Sequence, residues 1–310
     1  MNSTSPQYFI ILPSILGGLD MVLIVIGLFG NNVIIFVTFN RKIRIFTKVF
    51  LISEAICDNF TLCLLGFPEF ISNLNISNGE IFHKTNCAIR LFFIYILTDI
   101  SRWNLVVLSL ERFLLLRFPL NSKIKNLNKR HAFLTIFILT CIGIFKNFFI
   151  LTTTVILVEH FCMFLNRKAY LIFMYIDTTF TLVIPFLFIL FNTVGCLILI
   201  RQQSLRVSTN GQNSPSQDSG LQILRMILAI SIYNFISSIP LYVILSVKRS
   251  YINSKFNGII NMLYDISYLF YLSNNSLKCY LYILSSISFR KMFSEFFTQT
   301  IYKKIFRLKK

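Results

Sequence analysis

Seven segments of the chain are long enough and apolar enough to cross a lipid bilayer. A spanning helix needs about 20 mostly apolar residues. Such segments lie at about 14–39, 47–72, 86–116, 132–158, 169–200, 221–247 and 257–285. Hydrocarbon cannot satisfy free backbone groups, and the sequence shows no alternating barrel pattern, so each span is predicted to be helical. The chain is therefore predicted to be an all-α membrane protein with a seven-transmembrane helix bundle over 14–285.

The composition agrees with this prediction and excludes a soluble domain. Of the 310 residues, 55% are hydrophobic and only 14% are charged, whereas a soluble domain carries roughly a quarter charged residues. The formal net charge is +18, but the basic residues lie between the apolar runs and form no soluble basic module. They are expected to set membrane topology, and nucleic acid is not an expected partner.

Lys and Arg residues are concentrated in the loops on one side of the predicted bundle. That side is expected to be cytoplasmic, because positively charged loops stay inside. Segment 1–13 is then extracellular, and its lack of basic residues also argues against a cleaved signal peptide. N-glycosylation sequons begin at Asn2 and Asn75, and both fall on the predicted outer side.

Segment 286–310 is predicted to be a short cytoplasmic amphipathic helix followed by a tail. Its apolar residues are spaced mainly by three or four, namely Phe289, Phe293, Phe296, Phe297, Ile301 and Ile305. Lys and Arg residues are interleaved with them. This pattern is typical of a basic helix that lies on the inner membrane surface.

Ionisable residues inside the spans are candidates for function, because charge is costly in a bilayer. Glu111 and Arg112 are adjacent at the end of the third span, and Asp58 lies in the middle of the second. The three histidines are scattered in or near loops, so neither a metal site nor a nucleophilic centre is expected. No enzyme activity and no cofactor are predicted.

The seven cysteines fall into two groups. Five lie inside apolar runs and are expected to be free, small core residues, namely Cys57, Cys63, Cys141, Cys196 and Cys279. Cys87 and Cys162 lie in more polar segments and are the candidates for a disulfide pair.

A series of short motifs extends over nearly the whole chain. In chain order they are Gly30-Asn31, Ser53-Glu54-Ala55-Ile56-Cys57-Asp58, Pro68, Cys87, Arg112, Pro119, Cys162, Pro185, Pro240 and Tyr282. Cys87 stands 25 residues before Arg112, and Pro119 stands seven residues after it. In this order and spacing the chain resembles the rhodopsin-like (class A) G-protein-coupled receptors.

This resemblance implies a role for the inner end of the bundle. Glu111 and Arg112 would form a local ion pair in the resting state, and Arg112 would be released towards a heterotrimeric G protein on activation. Pro119 in the second inner loop and Tyr282 in the seventh span would belong to the same coupling region. The alternative for Arg112 is a helix-end arginine that only reaches the lipid headgroups.

The resemblance also implies a disulfide between Cys87 and Cys162. This bond would join the outer end of the third span to the second outer loop. The outer location permits oxidation. Two unpaired thiols are the alternative.

A buried polar core is implied at mid-membrane depth. In relatives, the aspartate at the place of Asp58 binds sodium with polar neighbours from other spans. Here Asn31 belongs to this core, Ser101 fits a third-span ligand, and Asn274 fits a seventh-span neighbour. Lys278 lies one turn after Asn274 on the same face, and we hypothesise that its ammonium replaces the ion opposite Asp58. In the alternative, Lys278 extends to the cytoplasm and Asp58 is paired otherwise.

Invertebrate FMRFamide-type peptide receptors are the branch that the chain resembles most. The seventh-span ending 274–282 is similar to theirs, which also lacks the usual proline. Other positions depart from the family: the fourth span has no tryptophan, Ser237-Ser238-Ile239-Pro240 replaces Cys-Trp-x-Pro, Thr193 replaces a tyrosine, and Lys278-Cys279 replaces Asn-Pro. The departures affect the usual activation switches and leave the scaffold intact.

The outer half of the bundle contains the possible ligand contacts. Ile94 occupies the place where amine receptors carry an aspartate, which argues against a biogenic amine. Acidic residues of the outer half would receive an arginine or N-terminal amine of a peptide, namely Glu69, Glu159, Asp177 and Asp265. Alternatively, each pairs with a basic residue of the same chain, namely Arg90, Lys146 or Lys168.

Asp99 and Arg102 lie three residues apart on the third span. This spacing predicts that they pair with each other, with a ligand contact as the alternative. Trp103, the only tryptophan, is expected to face lipid or a neighbouring helix.

The expected function is that of a plasma-membrane receptor that converts binding of an outer ligand, a neuropeptide, into activation of a G protein. A chemosensory receptor of the same superfamily is the main alternative. A transporter or channel would favour internal repeats and matching broken helices, and the sequence has neither.

Overall fold

The computed structural model describes residues 8–39, 43–68, 87–153, 155–158, 161–208, 215–251, 256–287, 289–291, 293–295 and 298. The sequons at Asn2 and Asn75 lie outside these residues. The main helices are α1 Tyr8–Phe39, α2 Ile45–Thr61, α3 Cys87–Arg117, α4 Ser122–Lys125, α5 Lys129–Thr152, α6 Arg167–Asp177, α7 Ile184–Ser208, α8 Pro215–Tyr251, α9 Asn257–Ser276 and α10 Lys278–Ser285. All of the long elements are helical, which confirms the predicted fold class.

Within the described residues, six helical stretches are long and apolar enough to cross a membrane: most of α1, α2 with its continuation to Gly66, α3, α5, the continuous α6–α7, and much of α8. The seventh span consists of α9 and α10, which are separated at Leu277. The chain is therefore a multi-pass membrane protein. Helix α3 is the most buried of the six and packs against α2, α5, α7 and α8, so it forms the centre of the bundle.

Two spans contain a widened π-helical segment just before a proline. Leu62–Gly66 continues α2 up to Pro68, and Thr178–Val183 joins α6 to α7 ahead of Pro185. Proline has no N–H to donate and its ring displaces the carbonyl one turn earlier, so the helix changes its hydrogen-bonding there. The carbonyl of Leu65 accepts a hydrogen bond from Tyr268 Oη at 2.8 Å, which joins the second and seventh spans.

One predicted boundary is confirmed and another is wrong. The first helix begins at Tyr8, and its candidate membrane span, Ile15–Phe39, agrees with the predicted span 14–39. The fourth span ends at Thr152 and does not reach residue 158, because strand β1 Val155–Val158 pairs antiparallel with β2 Phe161–Phe164. A short apolar run fits a strand as well as a helix, so hydropathy alone extended the span too far.

Apolar residues pack into an inner and an outer cluster along the bundle. The inner cluster includes Phe50, Leu105 and Tyr282. The outer cluster includes Phe173 and Tyr268, together with several other tyrosines. Most of the buried charged side chains group at three places along α3, described below.

The described residues after Ser285 are mostly helical and amphipathic. Phe289 is buried and Phe293 is partly buried against the inner apolar cluster, whereas Arg290 and Lys291 are exposed. This arrangement agrees with the amphipathic helix that the sequence predicts after residue 285. Its apolar side packs on the bundle and its basic side faces outwards.

Candidate functional site

The first group of charged side chains lies at the inner end of α3, and we call it the inner lock (Arg44, Thr47, Glu111 and Arg112). Glu111 is almost fully buried. Its Oε2 accepts a hydrogen bond from Thr47 Oγ1 at 2.8 Å, and its Oε1 lies 3.4 Å from Arg44 Nη1. Arg112 donates from Nη2 to Thr47 Oγ1 at 2.8 Å.

The predicted pair between Glu111 and Arg112 is present but long, since Arg112 Nη2 lies 3.9 Å from Glu111 Oε2. Glu111 is held more closely by Thr47 of α2 and by Arg44, which immediately precedes α2. Two side chains from the start of the second span therefore complete the lock. Sequence reasoning missed both of them.

Arg44 also reaches the second inner loop. Its Nη2 donates to the carbonyl of Ile124 in α4 at 3.0 Å. Phe118, Pro119 and Leu120 form the exposed turn between α3 and α4. The loop that contains the predicted coupling residue Pro119 is therefore joined to Glu111 through Arg44.

The second group lies deeper, and we call it the lysine core (Glu54, Asp58, Ser101, Lys278 and Tyr282). Lys278 Nζ lies 2.7 Å from Asp58 Oδ2 and 2.9 Å from Glu54 Oε1, and it donates to Ser101 Oγ at 2.9 Å. Ser101 in turn donates to Asp58 Oδ1 at 2.9 Å. Lys278 is only 2% exposed, so it does not extend to the cytoplasm.

The geometry of the ammonium distinguishes its two carboxylate contacts. The contact with Glu54 is both an ion pair and a hydrogen bond. The contact with Asp58 Oδ2 is short, but it lies off the hydrogen-bonding directions. The predicted neighbours Asp58, Ser101 and Lys278 are therefore brought together, and Glu54 is an additional member.

Glu54 also fixes the position of Tyr282. Tyr282 Oη donates to Glu54 Oε2 at 2.8 Å, and its ring packs against Phe289. Tyr282 is 1% exposed. It therefore belongs to the lysine core in this structure, and its role in G-protein coupling stays a prediction.

The other two residues predicted for the polar core, Asn31 and Asn274, make no hydrogen bond to Asp58 among the described residues. Asn31 Nδ2 donates to the carbonyl of Asn275 at 3.1 Å and thereby joins the first and seventh spans. These spans are close at Gly27, where an added Cβ would lie 2.8 Å from Ser276 Cα. Asn274 is buried, and its Oδ1 has no hydrogen-bond partner among the described residues; its place beside Asp58 stays a prediction.

The third group lies nearer the predicted outer side, and we call it the outer acid cluster (Asp99, Lys146, Asn147, Asp177 and Thr181). Lys146 Nζ lies 2.8 Å from Asp99 Oδ1 and 2.6 Å from Asp177 Oδ1. Asn147 Nδ2 donates to Asp99 Oδ2 at 2.8 Å, and Thr181 Oγ1 donates to Asp99 Oδ1 at 2.6 Å. The cluster joins α3, α5 and the π-helical segment of the fifth span.

The predicted pairing of Asp99 with Arg102 is wrong. Asp99 faces Lys146 and Asn147 of α5, whereas Arg102 donates from Nη2 to Ser238 Oγ of α8 at 2.8 Å. Helical spacing permits an i, i+3 pair, but two side chains of the neighbouring helix satisfy Asp99 inside the bundle. Trp103 packs against Phe180 and Phe188, as expected for a residue that faces a neighbouring helix.

The residues predicted to contact a ligand differ in their burial and in their partners. Asp177 is fully buried and bound by Lys146 and by Tyr242 Oη, so the alternative of internal pairing describes it and the predicted ligand contact does not. Ile94 is buried within α3. Asp265 is partly exposed on α9, and Glu69 lies outside the described residues.

Cys87, the first residue of α3, is disulfide-bonded. Five other cysteines are free, as predicted, namely Cys57, Cys63, Cys141, Cys196 and Cys279. Across the described part of the chain, no three His, Cys, Asp or Glu side chains are grouped so that they would hold a metal ion. The three polar groups can therefore position helices relative to one another.

Comparisons with known proteins give a consistent match. A family model described as 7 transmembrane receptor (rhodopsin family) matches residues 30–282. The cholecystokinin receptor of Xenopus laevis is 31% identical over 113 residues, which cover 36% of this chain and 24% of that receptor. Rhodopsin of Lithobates pipiens is 29% identical over 121 residues, which cover 38% of this chain and 34% of rhodopsin.

A longer match is 22% identical over 273 residues to the C5a anaphylatoxin chemotactic receptor 1 of Oncorhynchus mykiss. It covers 86% of this chain and 76% of that receptor. The chain thus spans only about a quarter of the length of the cholecystokinin receptors that it matches, but most of the length of the C5a receptor.

Proposed function

Because the chain belongs to the rhodopsin family of seven-transmembrane receptors, we propose that it binds an extracellular peptide and activates a heterotrimeric G protein. No covalent chemistry is needed for this function. Ligand binding would shift the population between an inactive and an active arrangement of the helices. The membrane would be the plasma membrane, with the N-terminus outside.

The inner lock is the observation that carries this proposal. Arg112 lies at the inner end of the central helix and is held by a hydrogen bond to Thr47 and a long ion contact to Glu111. Its side chain is 13% exposed, so the lock holds it largely away from solvent. Release of Arg112 would expose a cation beside the turn that contains Pro119, where a G protein would dock.

Two further features would support the inactive arrangement. The lysine core joins the second, third and seventh spans, and Lys278 would serve in place of a sodium ion. The disulfide of Cys87 would be made with Cys162, since five of the seven cysteines are free and Cys162 lies on β2 in the hairpin that follows α5. It would tie the outer end of α3 to that hairpin.

A peptide is the proposed class of ligand. Ile94 stands where an amine receptor would have an aspartate, and the ending of the seventh span resembles that of FMRFamide-type receptors. Relatives named for cholecystokinin and for C5a anaphylatoxin agree with this class, although rhodopsin matches as well. Asp265 remains a candidate partner for a basic group of the peptide, and Glu69 remains a second.

In the decisive experiment, the chain is expressed at the cell surface together with a promiscuous G protein. The cells are then screened for a response to amidated peptides. A saturable response to a peptide is expected, and Arg112→Ala should abolish it while surface expression is retained. Intact signalling by Arg112→Ala would contradict the coupling role. A response to volatiles but not to peptides would favour the chemosensory alternative, which the altered sixth-span motif Ser237-Ser238-Ile239-Pro240 supports.

A further inference from the structure

A small cavity lies between α3, the fifth span and α8, next to the outer acid cluster. Its volume is about 10 Å³, which is room for one water molecule or for the displaced end of a side chain. Arg102 of α3 and Asn234 of α8 both line it. The rings of Phe186 and Phe235, which also line it, stack with their centroids 4.2 Å apart. The cavity therefore gives a polar side chain of α3 and one of α8 a place to meet.

The charge of Arg102 keeps it beside the outer acid cluster. Arg102 is 6% exposed. Asp99 and Asp177 carry two negative charges against the one positive charge of Lys146, so this cluster has one net negative charge, which the guanidinium balances. Attraction between charges acts over several ångströms and has no preferred direction. It therefore holds Arg102 in place without selecting the hydrogen-bond partner of Arg102 on α8.

Two acceptors for Arg102 lie one helical turn apart on α8. The first is in use: Ser238 is fully buried, and its Oγ accepts from Arg102 Nη2 at 2.8 Å. The second is Asn234, four residues earlier and so on the same face of the helix. Asn234 is 3% exposed, and neither its Oδ1 nor its Nδ2 has a hydrogen-bond partner in the part of the chain that the structure covers. A buried amide without partners is costly, so a donor that reached Asn234 Oδ1 would be stabilised there.

Pro240 allows α8 to move between these two contacts. It lies inside the helix, two residues after Ser238. Proline cannot donate a hydrogen bond to the preceding turn and its ring displaces the carbonyl there, so a helix bends more readily at this point. The part of α8 that contains Ser238 and Asn234 can therefore shift against α3. The two acceptors are separated by about 5–6 Å at their Cβ atoms, which the long side chain of Arg102 can span.

We propose that Arg102 is a switch between α3 and α8, which donates to Ser238 in the resting arrangement and to Asn234 Oδ1 in the active one. This inference rests on the proposed receptor function. Ser238 stands where the family usually has a tryptophan, so a polar contact takes the place of the missing aromatic switch. Because one buried hydrogen bond is exchanged for another, the two states are discrete and close in free energy, and a ligand can shift the population between them.

The first test needs no ligand. Basal G-protein activation by the full-length chain is measured in cells and normalised to surface expression. We expect Ser238→Ala to raise it about three- to tenfold, because the resting contact is lost. Ser246→Ala is the matched control and should leave it unchanged, since Ser246 donates to the carbonyl of Tyr242 within α8. Adding Asn234→Leu to Ser238→Ala should abolish the rise, because Arg102 then lacks its second acceptor.

The second test separates the switch from the receptor function. In an experimental structure of the full-length Ser238→Ala variant, Arg102 should lie within hydrogen-bond distance of Asn234 Oδ1. An Arg102 that makes any other contact, with a water molecule on Asn234, would overturn the switch, and so would a rise in basal activation that survives Asn234→Leu. If Arg102 moves to Asn234 but neither the unaltered chain nor any variant activates a G protein, the proposed function fails and the exchange of contacts stands.

Discussion

Glu111 receives contacts from three other side chains, and the arginine next to it in sequence is the most distant of them. Thr47 donates to it at 2.8 Å, Arg44 lies at 3.4 Å and Arg112 lies at 3.9 Å. An adjacent pair on a helix points in different directions, because neighbouring residues do not share a face. The lock is therefore assembled from contacts between α3 and the start of α2.

We expect Arg44→Ala to raise ligand-independent signalling. The substitution removes the ion contact to Glu111 and the hydrogen bond to Ile124 in α4. A half-exposed pair contributes about 0.2–1 kcal/mol, so the active population should rise by up to about fivefold. Basal G-protein activation, normalised to surface expression, measures this change in the active population. Lys48→Ala is the matched control, since Lys48 donates to Phe39. Equal basal activity in the two variants would contradict the role of Arg44.

We expect Lys278→Met to lower the thermal stability strongly. The substitution leaves the carboxylates of Glu54 and Asp58 buried without a cation, and breaking such a buried pair costs about 3–5 kcal/mol. Adding Glu54→Gln should restore part of the loss, because it removes one of the two carboxylates. Thermal unfolding in detergent measures both effects. Lys129→Met, at an exposed lysine, should change the Tm little; no difference between the two lysine variants would argue against the lysine core.

The residues of the lysine core differ in how well the sequence predicted them. Asp58 was predictable from the second-span motif, Ser101 from its spacing to Arg112, and Lys278 from its spacing to Tyr282. The sequence also contains a signal for Glu54, since it lies four residues before Asp58 and so shares its face. The contact of Arg44 with Glu111 depends on how two helices cross, and no periodicity in the sequence encodes it.

At the scale of whole elements, α5 is held largely by polar contacts. Only a small share of this helix is buried, and many of its apolar residues are exposed as they would be towards lipid. Lipid tails are as apolar as the core, so apolar burial contributes little to helix association in a membrane. Lys146 and Asn147, which bind Asp99 and Asp177, therefore anchor α5 to α3 and to the fifth span.

We expect Lys146→Met to loosen α5 more than any other helix. The substitution leaves Asp99 and Asp177 without their cation and removes the ion pairs between α5 and its neighbours. Hydrogen exchange of the backbone should become faster in α5 and in Thr178–Val183, and remain unchanged in α2. Asp99→Asn added to Lys146→Met should recover part of the protection. Uniformly faster exchange in every helix would show general destabilisation and would contradict the anchoring role.

The limits of prediction at this scale have a physical cause. Hydropathy located all seven spans, because the bilayer requires a minimum apolar length. The end of the fourth span was not predictable, since the apolar runs of β1 and β2 resemble a helix continuation. The π-helical segments were partly foreseeable from Pro68 and Pro185, but their length depends on contacts such as that of Tyr268 with Leu65.

At the scale of the whole molecule, the three charged groups lie one after another along α3. The outer acid cluster contains Asp99, the lysine core contains Ser101, and the inner lock contains Glu111. Each group binds α3 to different neighbours, so a movement of α3 would strain all three. An outer ligand and an inner G protein would thus be coupled through one helix with several discrete polar contacts.

The lysine core predicts how this molecule responds to sodium. Lys278 Nζ lies within 3 Å of both Glu54 and Asp58, and we propose that its ammonium stands in place of a sodium ion. We expect the affinity for a peptide agonist to stay within about twofold when sodium chloride replaces choline chloride at constant chloride. Lys278→Asn removes the ammonium and should gain sodium dependence, because the freed carboxylates attract a cation. Agonist binding to membranes measures both, and a sodium-dependent loss of affinity in the unaltered protein would show that Lys278 does not replace the ion.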